Sequence, residues 1–205
     1  MLARKLGIDL GTSAMRVGVR GQGVVVDEAS LVAMDRSSGR VVAIGRQAQE
    51  VAGREPDAIR TLRPVQEGAT ADVAVTEAVL DHLIHRGRRR QRLFRPDVMV
   101  AISSRATSTE RRAITKAAIS GGARQAWLID KPLAAALGAG LPVRERRGQL
   151  VCDLGGGTTE LAVLSLSGAA VSRAVRVGGA ALDESIREDL ERRYQLLVSE
   201  RTAEL

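Results

Sequence analysis

The sequence predicts an α/β fold made of two related halves. Three observations carry this reading. A unit of strand, glycine turn and strand occurs twice, at Leu6–Thr12 and Leu150–Thr159; apolar runs of strand length alternate with helical periods between the copies; and the hydrophobic residues are almost all aliphatic. With 44% hydrophobic and 27% charged residues over 205 positions, the chain is a globular sequence that can bury roughly 70% of its unfolded surface. Aromatics amount to 1% (Phe94, Trp127 and Tyr194), so the core must be packed from Val, Leu, Ile and Ala.

In chain order, Leu6-Gly7-Ile8-Asp9-Leu10-Gly11-Thr12 ends a strand in aspartate, turns through glycine and re-enters an apolar run from Met15 to Val19. Ser30–Met34 and Val41–Ile44 form a hairpin around Ser37-Ser38-Gly39, the start of a small β-rich insertion. Thr76–Arg86 has apolar residues at 79, 80, 83 and 84, one helical face, with Gly87 placed as its C-cap. Asp97–Ile102 reads as a buried strand, and Thr107-Ser108-Thr109-Glu110 as a capping box opening a helix that Gly121-Gly122 closes. Trp127–Ile129 is a short strand, and Pro132 suits the first turn of a helix reaching Leu137. The second glycine turn leads into Leu161–Leu166, and a last helix from about Asp183 to Leu197 sets Ile186, Leu190, Tyr194 and Leu197 on one face. Strands alternating with helices define the class.

The two turns carry the chemistry. Glycines after a strand expose backbone N–H groups to a concave site and let a phosphate oxygen approach closely. Gly11, Thr12 and Ser13 in the first turn and Gly155, Gly156, Gly157, Thr158 and Thr159 in the second are therefore phosphate-binding candidates, the hydroxyls adding donors. Asp9 and Asp153, each ending a leading strand, are placed to hold waters around a Mg²⁺ that bridges phosphates. One such turn is more often structural than functional. Two at equivalent positions of two halves make a phosphate clamp.

The net charge of +7 fits an anionic partner or a solvated arginine-rich surface without choosing between them. The sequence has neither the interleaved aromatics of single-strand platforms nor a helix-turn-helix or zinc-finger spacing, so no specific nucleic-acid binding is expected. Cys152 is the single cysteine and is expected as a small buried hydrophobe; with no signal-like apolar run at the start, a cytoplasmic address is expected. His82 and His85, three apart on a helix, lack metal-ligand partners at suitable spacing and read as ordinary residues.

Gly7-Ile8-Asp9-Leu10-Gly11-Thr12, Asp153-Leu154-Gly155-Gly156-Gly157-Thr158-Thr159-Glu160, Arg176-Val177-Gly178-Gly179 and Ser199-Glu200-Arg201-Thr202-Ala203-Glu204 together resemble the MreB family of bacterial actin-like proteins, nearly end to end. The resemblance implies an actin-like, ribonuclease-H-like fold with ATP and Mg²⁺ between two halves, and filaments beneath the membrane that organise wall synthesis and cell shape. It implies a first half at 1–148 with a small inserted subdomain at 33–74, and the start of a truncated second half at 149–205. The expected location is cytoplasmic and peripheral at the inner face of the membrane, with a full-length family member or a second copy as partner.

Three departures from the family pattern set the expected activity. The family continues well beyond Leu205, so Glu204 keeps its adenine-side place while the lysine that follows in relatives is absent. After Thr12, Ser13-Ala14-Met15 stands where relatives usually have Ala-Asn-Thr. Lys131 stands immediately before Pro132, where relatives carry the glutamate that positions the attacking water; an ammonium has no acceptor for that task, so weak binding of ATP and Mg²⁺ with negligible turnover is expected. One alternative is an active ATPase completed by a partner subunit, against which Lys131 argues; the other is a basic nucleic-acid-binding module, which the net charge and the arginine cluster suggest and the missing binding motifs argue against.

Arg86, Arg88, Arg89, Arg90, Arg92 and Arg95 surround Leu93-Phe94. Such a cluster with an apolar tip suits an anionic membrane surface, each basic group being worth on the order of 1 kcal/mol there. The family's membrane-docking loop falls at this place; the other reading is a solvated connector with Phe94 in the core.

Overall fold

The computed structural model describes residues 4–52, 57–66, 69–70, 72–88 and 94–204. The chain opens as an antiparallel meander of β1 (Lys5–Leu10), β2 (Ala14–Val19) and β3 (Gly23–Ala29). A small sheet follows in the order β5-β4-β6, from β4 (Val32–Asp35), β5 (Val41–Ile44) and, after helix α1 (Arg46–Ala52), β6 (Ile59–Leu62). The expected hairpin is present: Asp35 Oδ1 accepts the N–H groups of Ser37 and Ser38 at 3.0 and 2.7 Å, and Gly39 turns the chain at φ 66. A short pair, β7 (Val65–Gln66) and β8 (Ala69–Thr70), leads to helix α2 (Val73–Arg88).

Gly87 lies inside α2, not at its C-cap. A Cβ there would come within 2.9 Å of Val17 and 3.1 Å of Leu6, so the glycine lets the helix end approach the sheet closely. Val79, Leu80, Leu83 and Ile84 are buried on the expected face, each fully buried side chain contributing roughly 1.5–3 kcal/mol. His82 Nε2 lies 3.0 Å from Glu28 and Arg86 2.9 Å from the same carboxylate, tying α2 to β3.

Beyond α2, β9 (Asp97–Ile102), helix α3 (Ser108–Ser120), β10 (Gln125–Asp130) and helix α4 (Lys131–Gly138) complete the first layer. The large sheet runs β10-β9-β1-β2-β3, with β9 parallel to β1 and to β10. Alternation decides its two faces. Leu6, Ile8 and Leu10 are buried against the α2 and α3 side, while Gly7, Met99 and Trp127 lie in register on the opposite face, where Met99 and Trp127 are exposed. The capping box on α3 is complete: Glu110 N donates to Thr107 Oγ1 at 3.2 Å and Thr107 N to Glu110 Oε2 at 2.7 Å.

The second sheet runs β11 (Gln149–Leu154), β12 (Thr159–Ser165) and β13 (Gly168–Val175), followed by helices α5 (Gly179–Tyr194) and α6 (Glu200–Glu204). Helix α4 packs on one face of this sheet, burying Ala136, Val143, Ala162 and Leu164. The other face is open, and Cys152 is exposed there beside Leu150 and Leu154 rather than buried as the apolar strand suggested. Helix α5 ends at Gln195, left-handed at φ 53, so Leu197 falls outside the helix that was expected to carry it, and no α5 residue is buried.

Candidate functional site

Both glycine turns have one geometry. Asp9 pairs with Arg16 across β1 and β2, and Asp153 with Glu160 across β11 and β12; Gly11 N donates to Ala14 O at 3.1 Å, and Gly155 N to Thr158 O at 2.8 Å. The internal repeat therefore holds down to individual hydrogen bonds. It also corrects part of the expectation, because the N–H groups of Gly11 and Gly155 close their own turns and cannot serve a ligand. Those of Thr12, Ser13, Gly156 and Gly157 donate to no acceptor among the described residues.

The turns meet directly. A Cβ on Gly156 would lie 2.0 Å from Ser13 Oγ and 3.2 Å from Ser13 N, so only glycine lets the second turn seat against the first. Together with the start of α4 they enclose a cleft of about 390 Å³, lined by Asp9, Gly11, Thr12, Ser13, Arg16, Lys131, Asp153, Gly155, Gly156, Gly157 and Thr158. Ala134 and Ala135 keep the α4 wall small. Sequence reasoning thus collected most of its candidates into one site.

Two candidates fall elsewhere. The Thr159 hydroxyl donates to Val177 O at 2.8 Å, holding the Arg176–Gly179 turn instead of facing the cleft. Glu204 is exposed on α6 and does not line the cleft. The Arg176–Gly179 turn supports the second loop from behind: Gly179 N and Ala180 N donate to the carbonyls of Gly155 and Gly156 at 3.0 and 2.9 Å. Pointing those carbonyls away from the cleft leaves the N–H groups of Gly156 and Gly157 on its side. Arg63, after β6, does the same for the first loop by donating to Thr12 O at 3.1 Å, and no pattern in the sequence announces it.

The electrostatics centre on Lys131. Its Nζ lies 3.3 Å from Asp9 Oδ1, a buried oxygen that accepts no hydrogen bond among the described residues. Burial raises the Asp153 carboxyl above the ordinary aspartate value; the Lys131 ammonium draws it down, and Glu160 and Asp9 push it further up. Asp130, one residue before Lys131, is turned away into an ion pair with Arg111 at 2.7 Å. A Mg²⁺ held by Asp9 and Asp153, as expected from the sequence, would meet the Lys131 ammonium beside Asp9 Oδ1.

Glu160, paired across the strands with Asp153, does not line the cleft, and sequence reasoning assigned it no role of its own. It is 1% exposed, accepts from Ser104 N and Oγ at 2.9 and 2.6 Å through Oε2, and leaves Oε1 buried without a hydrogen bond. The signal was available, since Glu160 shares its alternation with the inward Ala162 and Leu164. With Arg105 Nη1 donating to Ala174 O at 2.9 Å, this pairing ties the loop after β9 to the second sheet.

Of the arginine cluster, Arg89, Arg90, Arg92 and Leu93 lie outside the described residues. Phe94 is 60% exposed, which removes the reading that tucked it into the core. Arg88 is half-buried at the end of α2, its carbonyl accepting from Arg4 at 2.9 Å. No described helix is long and apolar enough to cross a membrane.

The model of the MreB/Mbl protein family matches residues 3–205. The chain belongs to the MreB/Mbl family. It is 45% identical to the cell shape-determining protein MreB of Escherichia coli strain K12, over 100% of this chain and 60% of that protein. The crystal structure of MreB 5 of Spiroplasma citri bound to AMPPNP superposes with a TM-score of 0.88 at 32% identity, covering 100% of this chain and 61% of the other. The MamK double helical filament shares the fold, with a TM-score of 0.79 at 20% identity over 98% of this chain and 63% of that one. The fold is thus actin-like, and the chain spans about 60% of the length of the family members it matches.

Proposed function

We propose that this chain is a nucleotide-binding member of the MreB/Mbl family that grips the phosphates of ATP between its two glycine turns and hydrolyses it negligibly. One observation carries the reading: Thr12, Ser13, Gly156 and Gly157 border a single cleft, and their N–H groups find no acceptor among the described residues. The AMPPNP bound to the Spiroplasma citri relative supports the same ligand class. Lys131 at the start of α4 supplies no acceptor to orient water, which supports binding without turnover.

In this reading residues 1–148 are the first half, 33–74 its small subdomain and 149–205 the start of the second half. A cell-shape role in a filament, as the relatives' names suggest, would be exercised in the cytoplasm with a full-length family member or a second copy. The open face of the second sheet, with Leu150, Leu154 and Leu161 exposed, and the uncovered Leu182 and Ile186 of α5 support a partner that covers them. The exposed Phe94 beside the arginine cluster supports peripheral contact with an anionic inner membrane face. A steady-state phosphate-release assay tests the catalytic half of the proposal. Release at the level of a full-length family member would overturn it, and release at the background rate is expected.

A further inference from the structure

Resting on the nucleotide-binding reading, we propose that the Lys131 ammonium stands in the cleft where a divalent cation would, so that nucleotide phosphates bind this chain without a metal.

The geometry carries the proposal. Lys131 is the first residue of α4, and its side chain reaches across the cleft floor until Nζ lies 3.3 Å from Asp9 Oδ1. That oxygen is buried and accepts no hydrogen bond among the described residues, so its compensation comes from the ammonium. The side chain is only 20% exposed, which fixes the charge inside the cleft instead of in open solvent. Asp9, Asp153 and Lys131 line the same cleft as the unused N–H groups of both turns. A divalent cation at this place would have to displace or approach an ammonium, a like-charge contact that costs most where water is scarce.

An ammonium also does what the metal would do for binding. It neutralises carboxylate charge that would repel phosphates and presents up to three donors to their oxygens. It cannot offer ordered metal-bound water. Arg16, also on the cleft wall, is held by Asp27 at 3.2 Å and leaves Lys131 as the cation at the cleft floor.

The test is calorimetric titration with ADP and with AMPPNP, in excess EDTA and in excess Mg²⁺, of the wild type, Lys131→Gln and Lys131→Glu, with circular dichroism confirming that each variant is folded. The wild type is expected to bind with affinities that agree within about threefold in the two buffers. Loss of a charge-assisted hydrogen bond is worth about ten- to a hundredfold, so Lys131→Gln should weaken in EDTA by at least about tenfold. Lys131→Glu should bind only in Mg²⁺. Wild-type binding that disappears in EDTA would overturn the inference while leaving the nucleotide-binding reading intact. Metal-independent binding that persists equally in Lys131→Gln would show that the turns alone suffice and would overturn the role of Lys131. Absence of binding by the wild type in both buffers would instead defeat the nucleotide-binding reading, and the inference with it.

Discussion

Replacing Gly178 by alanine should displace the second loop, and the structure sets the magnitude. Gly178 has φ −151 and ψ −167, extended backbone open to any residue, so the penalty is steric alone. The added Cβ would lie 2.4 Å from Gly155 O and 2.7 Å from both the carbonyl carbon and oxygen of Gly156. All three are backbone atoms, and the two oxygens also accept from Gly179 N and Ala180 N, so relief by moving the loop stretches those bonds. Overpacking costs about 1–3 kcal/mol and a weakened backbone hydrogen bond about 1 kcal/mol, giving about 2–4 kcal/mol in all. Gly179→Ala is the matched control, because its Cβ would meet nothing closer than Gly156 Cα at 3.9 Å, an ordinary contact. It should stay within about 0.5 kcal/mol of wild type. Urea unfolding followed by circular dichroism reads the stability, and AMPPNP calorimetry reads the loop, where Gly178→Ala should lose at least about tenfold in affinity. Equal stability and equal affinity in the two variants would refute the packing argument for the Arg176–Gly179 turn.

Gly87→Ala should destabilise the protein although alanine gains about 1 kcal/mol of helix propensity, since its Cβ meets Val17 and Leu6 at 2.9 and 3.1 Å in the buried core; a rise in melting temperature would contradict this. The Asp35 carboxyl, held at about 2 by the Ser37 hydroxyl and by the Ser38 N–H and hydroxyl, should titrate near that value by NMR. Its contribution to stability is present above the ordinary 3.8 and lost as pH falls through about 2; Ser37→Ala should move the titration upward, and an unchanged value would contradict the turn's role. Wild type should pellet with anionic vesicles at low salt, and the Leu93→Ser, Phe94→Ser double variant should retain only weak, salt-sensitive adsorption. Equal pelleting of the double variant at every salt concentration would return the arginines to a solvated face.

Local signals survived into the structure where short-range hydrogen bonds decide the outcome. The α3 capping box and the Ser37–Gly39 turn are closed by residues within three positions of each other, so their sequence order is sufficient. The repeated glycine turns were legible for the same reason, and bringing them together followed from the two-half reading. What failed was set at long range. Gly87 could be read as a C-cap until the sheet was known to press on it, and Cys152 as buried until only one face of β11 was found covered. Strand β13 escaped notice because Gly168, Ala169, Ala170, Ser172 and Arg173 dilute its apolar pattern, and Val24–Val26 in β3 was passed over directly after the turn glycines Gly21 and Gly23. The Lys131–Asp9 pair joins the start of α4 to the end of β1, a contact that only the folded chain creates.

The central claim is that the two turns form one phosphate site. Calorimetric titration of AMPPNP into the wild type and into the Asp153→Ala, Gly156→Val double variant tests it most directly, since the valine would drive its side chain into Ser13 and close the seam between the turns. Saturable binding by the wild type, abolished in the double variant, is the expected result. Binding of equal strength in both proteins would show that the nucleotide sits elsewhere and that the paired turns serve only to join the two sheets.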